Sequence, residues 1–176
     1  MRIPPLSLLV IACVVIDQAI KWFVEAFLTF EELVPVLPFL GLYRTWNVGI
    51  AFSFLAHFGP ALLIGMTLVI IAFVGWLWSR ANMDKRYARI GFALIIGGAI
   101  GNLIDRVRQG YVLDFVDVYW GTWHFWAFNV ADSAITVGAI LVWGLQSDVA
   151  GISEEAIGVI LMVVGGAGLI LSLMFW

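Results

Sequence analysis

A short set of polar residues stands out against an apolar chain: Asp17 and Lys21, then Asn102, Asp105 and Arg106, then Asp114 and Asp117, then Asn129 and Asp132. A charged group at membrane depth costs about 2.5–3.5 kcal/mol on insertion scales, so those that persist need partners or a task. Asp114 and Asp132 lie 18 residues apart. Brought together, two carboxylates suit amide hydrolysis by water. Close like charges do not both ionise cheaply, so the pair holds one proton, one member acting as base to the water and the other as acid to the carbonyl or the leaving amine. No Ser/Lys or Cys/His arrangement competes: Cys13 is far along the chain from His57 and His124, and Ser133 has no lysine near it. The two histidines make no metal-ligand spacing and the single cysteine excludes an intrachain disulfide, so neither metal nor cofactor is expected.

Each of these residues also has a plainer reading. Asp132 at a helix start suits a cap or an ion pair, and Asp105-Arg106 an interfacial charge pair. Gly97 and Gly101 have the G-x-x-x-G spacing of close helix contacts, and the Gly165–Gly168 run suits a contact surface too. His57 and His124 read as interfacial polar residues.

The elements that must position these groups follow from composition. Of 176 residues 63% are hydrophobic and 12% charged, with a mean hydropathy of +1.05. That excludes a water-soluble globule. A net charge of -3, from nine Lys+Arg and twelve Asp+Glu, leaves no basic field for a phosphate backbone, so nucleic acid is not a partner. The apolar residues fall in runs of spanning length. The first, Pro4 to Ile16, continues through Asp17 and Lys21, an i,i+4 pair of opposite charge, to Leu28. Val10-Ile-Ala-Cys13 has the look of a lipoprotein signal, but apolar character resumes after Asp17, which favours a retained span. Phe58–Ser79 is uncharged. Ile90–Ile104 is short unless it draws on its flanks, Phe125–Leu145 contains Asp132, and Ala156–Trp176 forms a fifth apolar run.

The basic segment Arg80–Arg89 between the second and third runs belongs in the cytoplasm with Arg2, which turns both long connections outward. In the first connection Pro35, Pro38 and Gly41 break any helix, and Leu40–Phe54 alternates around Asn47-Val-Gly49, which predicts short strands on the membrane surface. Trp46, Phe52, Phe54, Phe58, Tyr119, Trp120, Trp123, Phe125 and Trp126 supply an interfacial aromatic belt.

Four stretches together resemble the bacterial lipoprotein signal peptidase (signal peptidase II) family of aspartyl intramembrane proteases. They are Asp17-Gln-Ala-Ile-Lys21, Asn47-Val-Gly-Ile-Ala-Phe52, Gly97-Gly-Ala-Ile-Gly-Asn-Leu-Ile-Asp-Arg106, and Val112-Leu-Asp-Phe115 followed by Phe128-Asn-Val-Ala-Asp-Ser133, in the family's order. The resemblance implies that Asp114 and Asp132 are the catalytic dyad, that Asn47, Asn102, Arg106 and Asn129 line the substrate site, and that Asp17, Lys21 and Asp105 hold the framework. It implies cleavage of diacylglyceryl prolipoproteins just before the lipidated cysteine, at the outer face of the bacterial cytoplasmic (inner) membrane, with membrane lipids as neighbours and a monomeric enzyme. The expected fold is an all-α polytopic membrane protein: a four-helix transmembrane core, a small strand-rich platform on the outer face, and a fifth C-terminal apolar segment that has no place in the family core. Residues 1–148 would form the peptidase domain and 149–176 the extra segment. The competing class is a small transporter or assembly subunit using the Asp pair as a proton or cation site, but no matching internal halves are present.

Overall fold

The computed structural model describes residues 6–49, 59–81, 86–125 and 127–143. Four helices and four strands alternate along them: α1 Leu6–Phe27, β1 Leu33–Leu37, β2 Leu40–Asn47, α2 Gly59–Arg80, α3 Arg86–Gln109, β3 Val112–Trp120, β4 Trp123–His124 and α4 Val130–Trp143. Helices α1, α2 and α3 are each long and apolar enough to cross a membrane, and α4 is a shorter apolar helix. The terminal segment Ala156–Trp176, expected as a fifth span, lies outside the described residues, as do His57, Trp126 and the stretch Ile50–Phe58.

Helix α3 is the centre, packing on α1, α2 and α4. It spans 24 residues because it draws in both polar flanks of the Ile90–Ile104 run, whose charges lie at its ends. Its small residues let neighbours approach to backbone contact. A Cβ on Gly98 would collide with the Ala131 carbonyl oxygen, and one on Gly101 would sit 2.7 Å from Asp17 Oδ2. Gly97 and Gly101 of the G-x-x-x-G pair thus seat α1, while the adjacent Gly98 seats α4. Around this core α1 and α2 expose Leu8, Ile11, Val15, Leu68, Val69 and Ile70, the apolar faces a lipid environment accepts.

At one end of the bundle lies a single antiparallel sheet in the order β1-β2-β3-β4. Strands were expected in the first connection, and β1 and β2 lie there. The second connection supplies the longest strand among the described residues, β3, for which no expectation was drawn from the sequence. Val112-Leu-Asp-Phe-Val-Asp-Val-Tyr-Trp120 is rich in β-branched and aromatic residues, but Val112 to Phe115 are all buried, so it lacks the alternation that marks a one-sided strand. Pro35, read as a breaker, sits in β1, an edge strand where a missing N–H costs no ladder bond. The fourth helix also starts later than the apolar run Phe125–Leu145. Phe125 and Phe128 bond to Val118 and Val116 of β3 as an extended return, and α4 opens only at Val130. Gly110, at φ 83°, ends α3 in a left-handed turn that directs the chain into β3.

Candidate active site

The site is assembled where α1, α3, β3 and α4 meet beneath the sheet, starting with a charge cluster between helices. Lys21 Nζ lies 2.9 Å from Asp17 Oδ2 and 2.8 Å from Asp105 Oδ2, and donates to Asn102 Oδ1 at 3.0 Å. All three ammonium donors are therefore used, and lysine and both carboxylates are buried. The expected Asp17–Lys21 pair is present, with Asp105 as a second acid. The cluster also positions backbone. Asp17 Oδ1 accepts the Ala131 N–H at 2.9 Å, one of the orphan donors at the start of α4, and Asp105 Oδ2 accepts the Leu113 N–H at 3.3 Å at the start of β3.

Asn129 is the N-cap of α4. Its Oδ1 accepts the Asp132 N–H at 2.9 Å, while Asp132 Oδ2 accepts the Asn129 N–H at 3.1 Å, a reciprocal capping box. The cap reading of Asp132 thus holds, and it leaves the other oxygen, Oδ1, to accept from Asn102 Nδ2 at 2.8 Å. Asn129 Nδ2 points the opposite way and donates to Asp114 Oδ1 at 2.7 Å. Asn47 completes the arrangement from β2: its Oδ1 takes the Gly49 N–H at 3.3 Å in an Asx turn, which aims Nδ2 at Asp114 Oδ2, 3.0 Å away. One asparagine, fully buried, therefore tethers both carboxylates, and each receives a second donor from another asparagine. The Asp114 carboxyl is pushed up to about 7, first by burial and next by the negative charge of Asp132, with the asparagine donors opposing.

Arg106 stands one turn beyond Asn102, with Nη1 3.5 Å from the Asn102 carbonyl oxygen and within electrostatic reach of Asp132 and Asp114. Its Nε is buried without a hydrogen-bond partner among the described residues. Among the described residues no group of three or more His, Cys, Asp or Glu side chains converges as a metal site.

A family model for signal peptidase (SPase) II matches residues 9–146 of this sequence. The chain belongs to the signal peptidase II family. It is similar to the lipoprotein signal peptidase of Sinorhizobium fredii, 52% identical over 135 residues, which is 77% of this chain and 81% of that protein. It is also similar to that of Brucella ovis, 53% identical over 133 residues, 76% of this chain and 83% of that one. A solved bacterial membrane enzyme, 28% identical, shares the fold with a TM-score of 0.71 over 80% of this chain and 85% of its own. Membership makes the chain an aspartic peptidase, and its spanning-length helices make it a multi-pass protein of the bacterial inner membrane. The transporter alternative is set aside on that ground.

Within this signal peptidase II fold the structure gathers Asp17, Lys21, Asn47, Asn102, Asp105, Asp114, Asn129 and Asp132 into one hydrogen-bonded network. Asp117, also noted among the polar groups, is not part of it and pairs with His124 instead. Two contributors were missed. Gln18 donates to Asp105 Oδ1 at 2.8 Å and lies 3.2 Å from the Gly101 carbonyl oxygen, bridging α1 to α3. Arg44 donates to the carbonyl oxygens of Glu25 and Leu28 and so closes the end of α1. Gln18 had a signal, its place inside the Asp17–Lys21 stretch. Arg44 had none.

Proposed function

We propose that Asp114 and Asp132 are the acid–base pair with which this peptidase removes signal peptides from diacylglyceryl-modified prolipoproteins, cutting before the lipidated cysteine. The observation that carries the reading is the shared tether: Asn129 holds both carboxylates, donating its side-chain amide to Asp114 and its backbone N–H to Asp132, and Asp114 keeps a proton to near neutrality. Asp132 takes the base role, because it lies in the first turn of α4, where a helix N-terminus favours an anion, and accepts the Asn129 backbone N–H there. It takes a proton from water as the water oxygen bonds to the scissile carbonyl carbon. Asp114 gives its proton to the carbonyl oxygen. The resulting diol collapses as the proton held by Asp132 passes to the cysteine nitrogen, the C–N bond breaks, and the diol returns a proton to Asp114.

Asn47, Asn102 and Asn129 position the pair and line the substrate site, while Asp17, Lys21 and Asp105 hold the helices that carry it. Arg106, whose Nε has no partner among the described residues, offers a fork of donors to carbonyl oxygens of an extended substrate. The platform and dyad face outward, opposite the basic Arg80–Arg89 connection, and the enzyme acts as a monomer with residues 1–148 sufficient for chemistry. The test is a gel-shift assay: the purified chain in detergent converts a diacylglyceryl prolipoprotein to a shorter product, and absence of any shift overturns the reading. Orientation is checked in intact cells with Cys13 replaced. A single cysteine at Met83 should resist an impermeant reagent while one at Gly121 reacts.

A further inference from the structure

The platform contains a cavity of about 420 Å³ that the mechanism above does not use. Its walls are apolar at Leu33, Tyr43, Phe125 and Ala127, and its polar groups are Thr45, Asp117 and His124. Asp117 is buried, and its Oδ2 lies 2.7 Å from His124 Nδ1. The ring is also stacked on Tyr119, with centroids 5.4 Å apart. A carboxylate on one nitrogen and an aromatic face beside the ring fix the orientation of an imidazole that is otherwise about two-fifths exposed (39%). A fixed polar pair set in apolar walls, in a space within the roughly 300–1,000 Å³ of small-ligand sites, has the make-up of a binding pocket.

The cavity shares strands with the dyad: Thr45 stands directly opposite Asp114 in the β2–β3 ladder, and Ala127 precedes Asn129 by two residues.

We propose that this cavity is the subsite for the first residues of the mature polypeptide, the polar peptide that follows the lipidated cysteine. The assignment rests on the reading of the chain as a prolipoprotein peptidase. Of the three parts of such a substrate, the signal peptide is apolar and belongs along the helices, and the acyl chains belong in lipid. Only the segment after the cysteine leaves the membrane, and the cavity lies in the sheet platform at the end of the bundle. Its backbone amides and carbonyls need partners once taken from water, and the Asp117–His124 pair and the Thr45 hydroxyl supply them. His124 and Asp117 are positioning residues here and touch no reacting atom.

The experiment uses the full chain in detergent and two synthetic substrates with the same signal peptide and the same diacylglyceryl cysteine. One ends at that cysteine as an amide and the other continues for a few residues. The readout is the ratio of kcat/KM for the longer substrate to that for the shorter. His124→Ala and Asp117→Asn should lower this ratio about tenfold, the worth of one or two hydrogen bonds to peptide backbone. Ala127→Leu, which narrows the cavity without touching the polar pair, should lower it in the same direction and covers the case in which a polar variant does not fold. A ratio that stays within about twofold of wild type in the variants that cleave the shorter substrate overturns the subsite and leaves the peptidase reading intact. A wild-type chain that cleaves neither substrate overturns both.

Discussion

Two clusters of buried acids lie side by side in this protein and are treated oppositely. Asp17 and Asp105 share one cation, Lys21, whose donors are all engaged. Among the described residues, Asp114 and Asp132 receive only amide donors, from Asn47, Asn102 and Asn129. A full opposite charge holds a carboxylate ionised and makes it framework. Neutral donors orient a carboxylate without removing the repulsion between two of them, so one proton stays in play. Asn102 joins the clusters, accepting from Lys21 while donating to Asp132, so the framework cation is one residue removed from the working acid.

The largest effect should come from the uncompensated pair. Asp114→Asn and Asp132→Asn should each lower cleavage more than about a hundredfold, since one acid–base group is worth about 10²–10⁴, while expression and insertion persist. The double variant should fall little further, because the two act as a unit. Near-normal turnover in either single variant would erase the distinction between the clusters.

The compensated cluster should answer in stability. Lys21→Met leaves two buried carboxylates without a cation and should cost about 3–5 kcal/mol, read as a lowered Tm in detergent. Adding Asp17→Asn and Asp105→Asn should return most of it. If Lys21→Met were as stable as wild type, the triad would not be framework.

Arg106 tests whether a cation near the dyad positions or tunes. Arg106→Lys keeps the charge and loses the fork, and should lower kcat/KM by about tenfold or more, with the pH profile holding its wild-type position. A fully active lysine variant would make Arg106 an electrostatic neighbour only.

A subtler contrast lies in pH. Asp114 is raised from 3.8 to about 7, so the folded state binds its proton more tightly than the unfolded state. The stability this confers is complete below the unfolded value and is lost as pH rises through about 7. Wild-type Tm should therefore decline as pH rises from 3.8 to about 7 and level off above that, and Asp114→Asn should flatten the decline, by an amount on the order of a few kcal/mol at most. Cleavage should fall as pH rises through about 7, where Asp114 loses the proton it donates. The smallest effect is expected from a chain stopped after Asp148, which should retain substantial gel-shift activity. Complete loss in a truncated protein that still inserts would place the terminal segment in support of the site.

Much of the site was legible because polar residues are rare in this chain and each one had to be accounted for. Asp17, Lys21, Asn102, Asp105, Asn129 and Asp132 were picked out by the cost of a polar group in an apolar run. The strand β3 was less legible, since a segment buried along both faces carries no period to read. The start of α4 was misread for a related reason. Phe125 and Phe128 are as apolar as a helix would require, and only the Asn129 capping box and the bonds to β3 show where extended chain ends.

The sequence by itself determined that this is a polytopic membrane protein, where its long helices run and which acids were candidates for chemistry, because hydropathy and the cost of burying charge are local properties. Tertiary structure alone decided that Asp114 stands on a strand facing Asn47, 67 residues away, and that Asn129 spans both acids. Those contacts depend on the β2–β3 register and on glycines that let α1 and α4 close on α3. Register and close approach are relations between distant segments, and no stretch of chain encodes them alone.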